Sequence, residues 1–415
     1  MNDRSDVIRG KLTFKDDITK IKREQYLGRN DIITASLPDT VTKIGSCAFY
    51  ACISLQKLDI PDSVEHIGAG AFYLCTRLES AVIPPKVTRI GESAFSQCAS
   101  LSSVTIPEGV TDIDGFAFCN CPKLTIIELP STIKEIGESA FWECTGLTSV
   151  AIPDGVKTIS ETMFAGCSSL NSVTLPDSIN KLKRGAFTDC TSLTEIKIPE
   201  GVKKISNSLF SGCCSLRKVS IPDTVTEIDE CAFRGCNSLS SVKLPDGVTR
   251  IGFRAFNECT SLTSVNIPET VTEIGGFAFK ECSSLKSVVI PEGVTEIGNS
   301  AFGKCTSLRE IKIPDSVTKI WYCAFASCSS LTSIELPPNV THIGKWAFLG
   351  CSSLTTISIP DSVSTISHTA FYGCTSLSEV KLGENSHFEI KHGWLCDGDS
   401  GKEIFKLAKK PMIED

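Results

Sequence analysis

Much of what marks an enzyme or a membrane protein is missing from this chain of 415 residues. It has five His, three Met, four Trp and five Tyr. None of the five His stands in a GxSxG, HExxH, GxGxxG or Walker-type setting, so no recognised catalytic or nucleotide-binding motif is present. No stretch of eighteen apolar residues exists, which excludes a spanning helix and predicts no membrane insertion. Positive charge is not in excess: the formal net charge is −7, and nucleic-acid binding needs a basic face. The first residues, MNDRSDVIRGKLTFKDD, are charged and have no apolar core, so no secretory signal is read there. A cytoplasmic location is the expectation as written, with a cell-surface or secreted one if a leader lies outside this sequence or export takes another route.

What the chain does have is one sentence written again and again. AFSQCASLSSVTIPEGVTDIDGF, from Ala94, is followed by AFCNCPKLTIIELPSTIKEIGES, from Ala117. Phe recurs at 49, 72, 95 and every 23 residues to Phe371, without insertion or deletion. Cys follows three residues later from Cys52 to Cys374, and Leu six later from Leu55 to Leu377. Aliphatic residues stand nine and eleven after, and Pro twelve after, from Pro61 to Pro360, with Gly383 in its place at the end. Tyr26 extends the Phe column upstream, so the register holds over residues 12–382, about sixteen copies. Residues 1–11 read as a polar lead-in. Residues 383–415 read as a hairpin cap around DGDSG with a loose KKPMIED tail.

The consensus gives the local structure. SLTSVxIP alternates apolar and polar with period two, the mark of a short strand. Pro ends it because it cannot donate to a ladder. PDxV is turn chemistry, VTxIG is a second short strand, and AFxxC is expected to form a tight helical turn. A 23-residue unit cannot bury its own apolar face; stacked units can, each against its neighbours. The expected fold is therefore a solenoid of about sixteen coils.

The strand motif LxxVxIP resembles the LxxLxL of leucine-rich repeats. The whole unit, AFxxCxSLxxVxIPxxVTxIG, is similar to the BspA-like class of that family over about nine-tenths of the chain. Pro replaces the family's usual Asn after the strand. The resemblance implies a right-handed leucine-rich repeat solenoid, with short parallel strands on a concave face and short strands and helical turns opposite. It also implies protein recognition or surface adhesion, as found in host-associated bacteria and some parasitic protists.

Cysteine is abundant, with 21 residues, fifteen of them in the repeat column. A disulfide spine would need facing side chains, and stacked ones are parallel. A zinc ladder would need CxxC or nearby His, which the spacing of 23 does not supply. The reading that fits best is a small buried hydrophobe closing the turn after Phe. Thiols in this number suit a reducing compartment or an anaerobe. An acidic column after Pro, from Asp39 to Asp361, could bridge calcium but fits solvated Pro-Asp turns better. His342, His368, Cys351 and Asp361 lie near one another in the repeat frame, yet variable surface positions explain them. No cofactor and no metal site is expected, and the chain is expected not to be an enzyme.

Recognition must then reside in the columns that vary. One candidate is the edge just before Ala-Phe, where Phe253, Phe277, Trp321, Tyr322 and Trp346 stand; aromatic anchors dominate interfaces. Trp321 replaces the Gly of copies such as Gly298 and Gly344, and Lys319 and Lys345 flank it. The competing reading is that these rings lie flat over the neighbouring coil. The alternative site is the strand face eight and ten residues after Phe, with Lys197, Lys218, Lys243 and Lys312. The expectation is a monomeric protein-binding or adhesin-like scaffold with a protein partner; a cytoplasmic structural or assembly role is the alternative.

Overall fold

In the computed structural model, residues of one column pair with each other from coil to coil: Ile228 faces Ile251, and Ile251 faces Ile274. Every ladder inside the repeat is parallel with a step of 23 residues, as the repeat length demands. The structure describes residues 5–15 and 17–408, so the KKPMIED tail lies outside the described residues. The fold is a parallel-strand solenoid built from two kinds of strand. Three-residue strands such as Ser264–Asn266 carry the SVx of the SVxIP segment, and two-residue strands such as Glu273–Ile274 carry the xI of VTxI. No helix occurs among the described residues.

The coils gather into two compact units, Met1–Val202 with Gly212–Cys214, and Lys203–Ser211 with Ser215–Asp415. The first begins with an antiparallel hairpin, Ser5–Ile8 against Lys11–Phe14, turning at Arg9 and Gly10. Its second strand joins the parallel ladder through Thr34–Ser36. Six two-residue strands, from Lys20–Ile21 to Glu135–Ile136, form one continuous sheet in this unit. The second unit has two such sheets of four strands each. It ends in a three-stranded antiparallel meander, Phe388–Lys391, Trp394–Asp397 and Glu403–Lys406. Besides the hairpin across DGDSG, that meander contains one at His392-Gly393, where both residues have positive φ, as tight two-residue hairpins require. The meander closes on the last coil: Phe405 meets Phe371 at 5.9 Å and the Ala408 amide donates to Leu377.

The AFxxC segment is not the helical turn expected from its sequence. In the coil of Phe49, the amides of Ala48, Tyr50 and Cys52 donate three residues back, while those of Cys47, Phe49 and Ala51 donate to Ala69, Ala71 and Tyr73 of the next coil. Alternate amides therefore close turns and stitch coils, and no i→i−4 ladder can form. The alternation goes with left-handed residues two before and two after Phe, here Cys47 and Ala51, both at φ 55°. The Gly of Gly-Cys pairs such as Gly166, Gly235 and Gly350 takes the second of these positions without steric cost. Other coils put Glu, Gln, Lys or Leu there, at a backbone conformation that L-residues rarely adopt.

The core is the sum of the constant columns. Phe49 to Phe348 are fully buried. Within each unit their rings stack 5.1–5.7 Å apart and within 24° of parallel, with Tyr26 stacked on Phe49 at the N-terminal end. These distances exceed the strand spacing of about 4.8 Å, so the rings are offset, the arrangement their quadrupoles prefer. Each column cysteine is a thiol whose Sγ donates to the carbonyl of the Phe 26 residues back (Tyr26 for Cys52), at 3.0–3.3 Å. That carbonyl already accepts the amide three residues on, as Phe49 does from Cys52. Cys thus fills the second lone pair of a buried acceptor with a side chain small enough for the gap, which Val or Ala would leave unmet. Burial raises the Cys98, Cys144, Cys259 and Cys328 thiols to about 12 and Cys52 to about 11. They are therefore protonated and inert at neutral pH.

Candidate recognition site

The edge before Ala-Phe is shaped by three consecutive positions, four, three and two residues ahead of the buried Phe. The first is held to Gly in many coils by the backbone beneath. A Cβ on Gly275 would come within 2.6 Å of the Phe253 amide nitrogen. Gly276 follows and leaves the second position bare as well; its added Cβ would press on the Asn299 carbonyl at 3.2 Å. With Gly298 in the next coil, three glycines form the floor of a cleft of about 530 Å³ in the second unit. Phe253 and Phe277 wall one side and Trp321 the other; Glu273, Glu296 and Asn299 edge it.

The walls are fixed by contacts. Phe253 and Phe277 meet edge to face at 5.4 Å. The Arg254 guanidinium lies 5.0 Å from one ring and 5.2 Å from the other, and Lys280 lies 5.4 Å from Phe277. The Trp321 indole N–H donates to Glu296 Oε2 at 2.7 Å, and Lys319 holds Oε1 at 3.1 Å. These bonds, the indole's first, keep the Glu296 carboxyl below its usual range. Lys319 also lies 5.3 Å from the Trp321 ring. Trp321 keeps the inter-coil bond of its column, its amide donating to Ile297 at 3.0 Å. Glu273 accepts from Arg250 Nε at 3.1 Å.

The five aromatic residues singled out from the sequence therefore form two groups, not one patch. Phe253, Phe277 and Trp321 surround the cleft. Tyr322 and Trp346 pair with each other at 5.4 Å, with Lys345 4.3 Å over the indole. Trp321 turns to His342, 5.8 Å away. The rings are not all laid flat: Phe253 is 38% and Tyr322 41% exposed. Of the alternative lysines, Lys197 belongs to the first unit and Lys218, Lys243 and Lys312 to the second; all four are exposed on three-residue strands. Asn266 and Val289 stand between Lys243 and Lys312 in that column, so the lysines do not gather. His342 and His368 make no hydrogen bond to Cys351 or Asp361 among the described residues; the Cys351 thiol is used on Phe325 and Asp361 accepts from Asn385. No cluster of three or more metal-ligating side chains occurs among the described residues, nor any helix long and apolar enough to cross a membrane.

Sequence reasoning missed Arg254, Glu296 and Gly276. The signal available for them was the Gly-Gly pair at 275–276 set between aromatic residues.

A model of the BspA type leucine rich repeat region matches residues 9–125, 111–239, 203–330 and 295–395. The chain belongs to the BspA-type leucine-rich repeat family. Among solved members, a leucine-rich repeat protein from Bacteroides ovatus is 32% identical, with 90% of this chain and 85% of that one covered and a TM-score of 0.62. A leucine-rich cell surface protein from Faecalibacterium prausnitzii is 31% identical over 73% of this chain and 87% of that one, with a TM-score of 0.49. Comparison with curated protein sequences finds no match. The BspA-type unit accounts for the constant columns; the cleft is made by columns that the unit leaves open.

Proposed function

We propose that the protein is a non-enzymatic, monomeric scaffold that recognises another protein, in an adhesin-like role, through the aromatic edge of its second unit. One observation carries this reading. Large, partly exposed rings stand around a glycine-floored cleft, at positions that vary from coil to coil and carry no constant core residue. Exposed aromatics beside an apolar trough with a charged margin are what interface centres are made of. Membership of a leucine-rich repeat family fits a binding scaffold and supplies no catalytic constellation of its own.

The test begins with a partner recovered on the intact chain. Trp321→Ala with Phe277→Ala, at the cleft, should weaken binding by at least about 2 kcal/mol, and Trp346→Ala with Tyr322→Ala tests the second aromatic group in the same way. Unchanged affinity there, with loss in a variant lacking Lys197, Lys218, Lys243 and Lys312, would move the site to the strand face. Light scattering at the mass of one 44.7 kDa chain checks the monomer.

A second reading, a cytoplasmic assembly protein with no exported role, is favoured by the fifteen buried thiols of the Cys column. Labelling of intact cells decides between the two: surface label on this chain supports the adhesin-like role, and label only after lysis supports the second.

A further inference from the structure

A second cleft, in the first unit, is lined by charges that the chain leaves unpaired. It has a volume of about 620 Å³, enough for a small ligand. Its floor follows the position four before the buried Phe, with Gly137 and then Ser160 in adjacent coils. A side chain at Gly137 would collide with the Gly115 amide nitrogen, so the floor there is bare backbone. Along each coil a lysine comes before this position and a glutamate after it: Lys134 and Glu138 around Gly137, Lys157 and Glu161 around Ser160. The Ser139 amide donates to the Glu161 carbonyl, which sets the two coils side by side. Like charges therefore line up from coil to coil, cations ahead of the floor and carboxylates behind it. Lys183 follows in the floor column one coil on, with Lys181 and Arg184 exposed beside it. Asp114 is engaged by Arg89 at 2.7 Å. Lys134, Lys157, Lys183, Glu135, Glu138 and Glu161 make no side-chain hydrogen bond or ion pair among the described residues.

We infer that this cleft binds a saccharide that carries an isolated carboxylate, its anionic group held by Lys157 and Lys183 and its hydroxyls donating to Glu138 and Glu161. The inference goes beyond the protein-recognition reading and stands on the other unit. Ammonium groups only donate and ionised carboxylates only accept, so the occupant has to accept from one row and donate to the other. Sugar hydroxyls do both. Four cations, Lys157, Lys181, Lys183 and Arg184, stand at one end against one lining carboxylate, Glu161, and an anionic group belongs there. A protein segment finds no anchor: no ring lines the cleft, and its isoleucines, Ile113 and Ile136, are 1% and 3% exposed. A polyanion meets three free carboxylates. A divalent cation is not matched, because no group of three or more metal-ligating side chains occurs among the described residues and lysines share the rim. Each solvated charge is worth little alone, so affinity comes from several contacts made together.

The experiment probes the full chain with an array of sialylated, uronate-bearing, neutral and heparin-type oligosaccharides, and titrates the tightest by calorimetry. Glycans with isolated carboxylates should lead, and the titrated one should lose at least about tenfold when its acidic residue is removed. Lys157→Gln with Lys183→Gln should lose as much, and Glu138→Gln with Glu161→Gln about fivefold, with far-UV circular dichroism unchanged in both. Lys123→Gln, in the same unit and outside the cleft lining, should change nothing. Heparin-type glycans in the lead, and tighter still on Glu138→Gln with Glu161→Gln, would make the site a patch for polyanions and overturn the assignment. Neutral glycans bound as tightly as acidic ones overturn it too, as does an array without a binder. Loss on Trp321→Ala, with the lysine pair without effect, would move the glycan to the second unit's cleft and count against the protein-recognition reading as well; the other failures leave that reading standing.

Discussion

Two clefts on this protein have the same backbone and opposite linings. In the first unit, Asp114-Gly115 and Gly137 open a cleft of about 620 Å³, edged by Lys134, Glu135, Glu138, Lys157, Glu161 and Lys183. In the second, Gly275-Gly276 and Gly298 open one of about 530 Å³, walled by Phe253, Phe277 and Trp321. Both arise where Gly stands three residues before the buried Phe, a place that only Gly115 and Gly276 fill between the coils of Phe49 and Phe371, so the gap itself is a feature of individual coils. The lining belongs to the individual coil. Arg89 pairs with Asp114 at 2.7 Å in the first cleft, and the remaining charges there are mostly solvated, which gives an interface little. At the second cleft, carboxylates are tied down by Arg250, Lys319 and Trp321, and rings line the gap. The repeat fixes the backbone, and a few substitutions decide where a cleft opens and what lines it.

The comparison requires that the two clefts share a scaffold, and the largest effect expected tests that in alkali. A thiol raised by burial favours the folded state while it stays protonated. In the unfolded chain it ionises near its ordinary value of about 8.5, so stability is fully present below that pH and falls as pH rises toward the folded values of about 12. Each column thiol removes about 1.4 kcal/mol per pH unit in that window. Both units should therefore unfold steeply above about pH 9, and Cys144→Ala should reduce the slope by one thiol's share. Circular dichroism against pH checks it; stability that is flat between about pH 8 and 10 would deny the thiol column its part.

Next in size are the rings beneath the clefts. Phe118→Ala under the charged cleft and Phe279→Ala under the aromatic one should each cost about 3–5 kcal/mol in urea denaturation, because each removes a ring stacked on both sides. A loss below about 1 kcal/mol for either would break the equivalence. Binding should then separate what stability does not. With a recovered protein partner, Trp321→Ala should cost about 2 kcal/mol and Glu138→Gln less than about 0.5 kcal/mol by titration calorimetry. The reverse order would make the charged cleft the site. The smallest effect concerns the left-handed position two after Phe. Glu143→Gly in the first unit and Ser327→Gly in the second relieve a φ of 56° and 60°. Each should stabilise by up to about 1 kcal/mol, readable as a small rise in the urea midpoint; destabilisation by both would mean that these side chains hold more than the backbone.

The architecture was legible because the repeat is strict. Phe, Cys, Leu and Ile-Pro at fixed offsets left one way to bury the apolar residues, and the pairing of Ile251 with Ile274 follows from a step of 23. The AFxxC turn was not legible as built. Ala, Phe and Leu are compatible with a helix, and nothing in Cys47, Ser93 or Phe116 announces a left-handed backbone; the conformation is imposed by hydrogen bonds to the next coil. The Cys column could be read as buried, but its bond to the Phe carbonyl of the preceding coil links residues 26 apart, a distance that only stacking closes. The aromatic edge could be picked out as unusual and not correctly grouped. Trp321 and Trp346 stand in different columns, and a shift of two residues along the coil sent one indole to Glu296 and the other to Tyr322.

By itself, then, the sequence determined the periodicity, the coil count, the buried columns and the family, because a constant spacing translates directly into contact between equivalent residues. Only the tertiary structure decided which variable side chains share a surface. Arg254 is one cation among 41 Lys and Arg in the sequence. It becomes distinctive once it lies against two rings from adjacent coils with no ion pair among the described residues, and that depends on side-chain direction across the stack, which linear spacing does not encode.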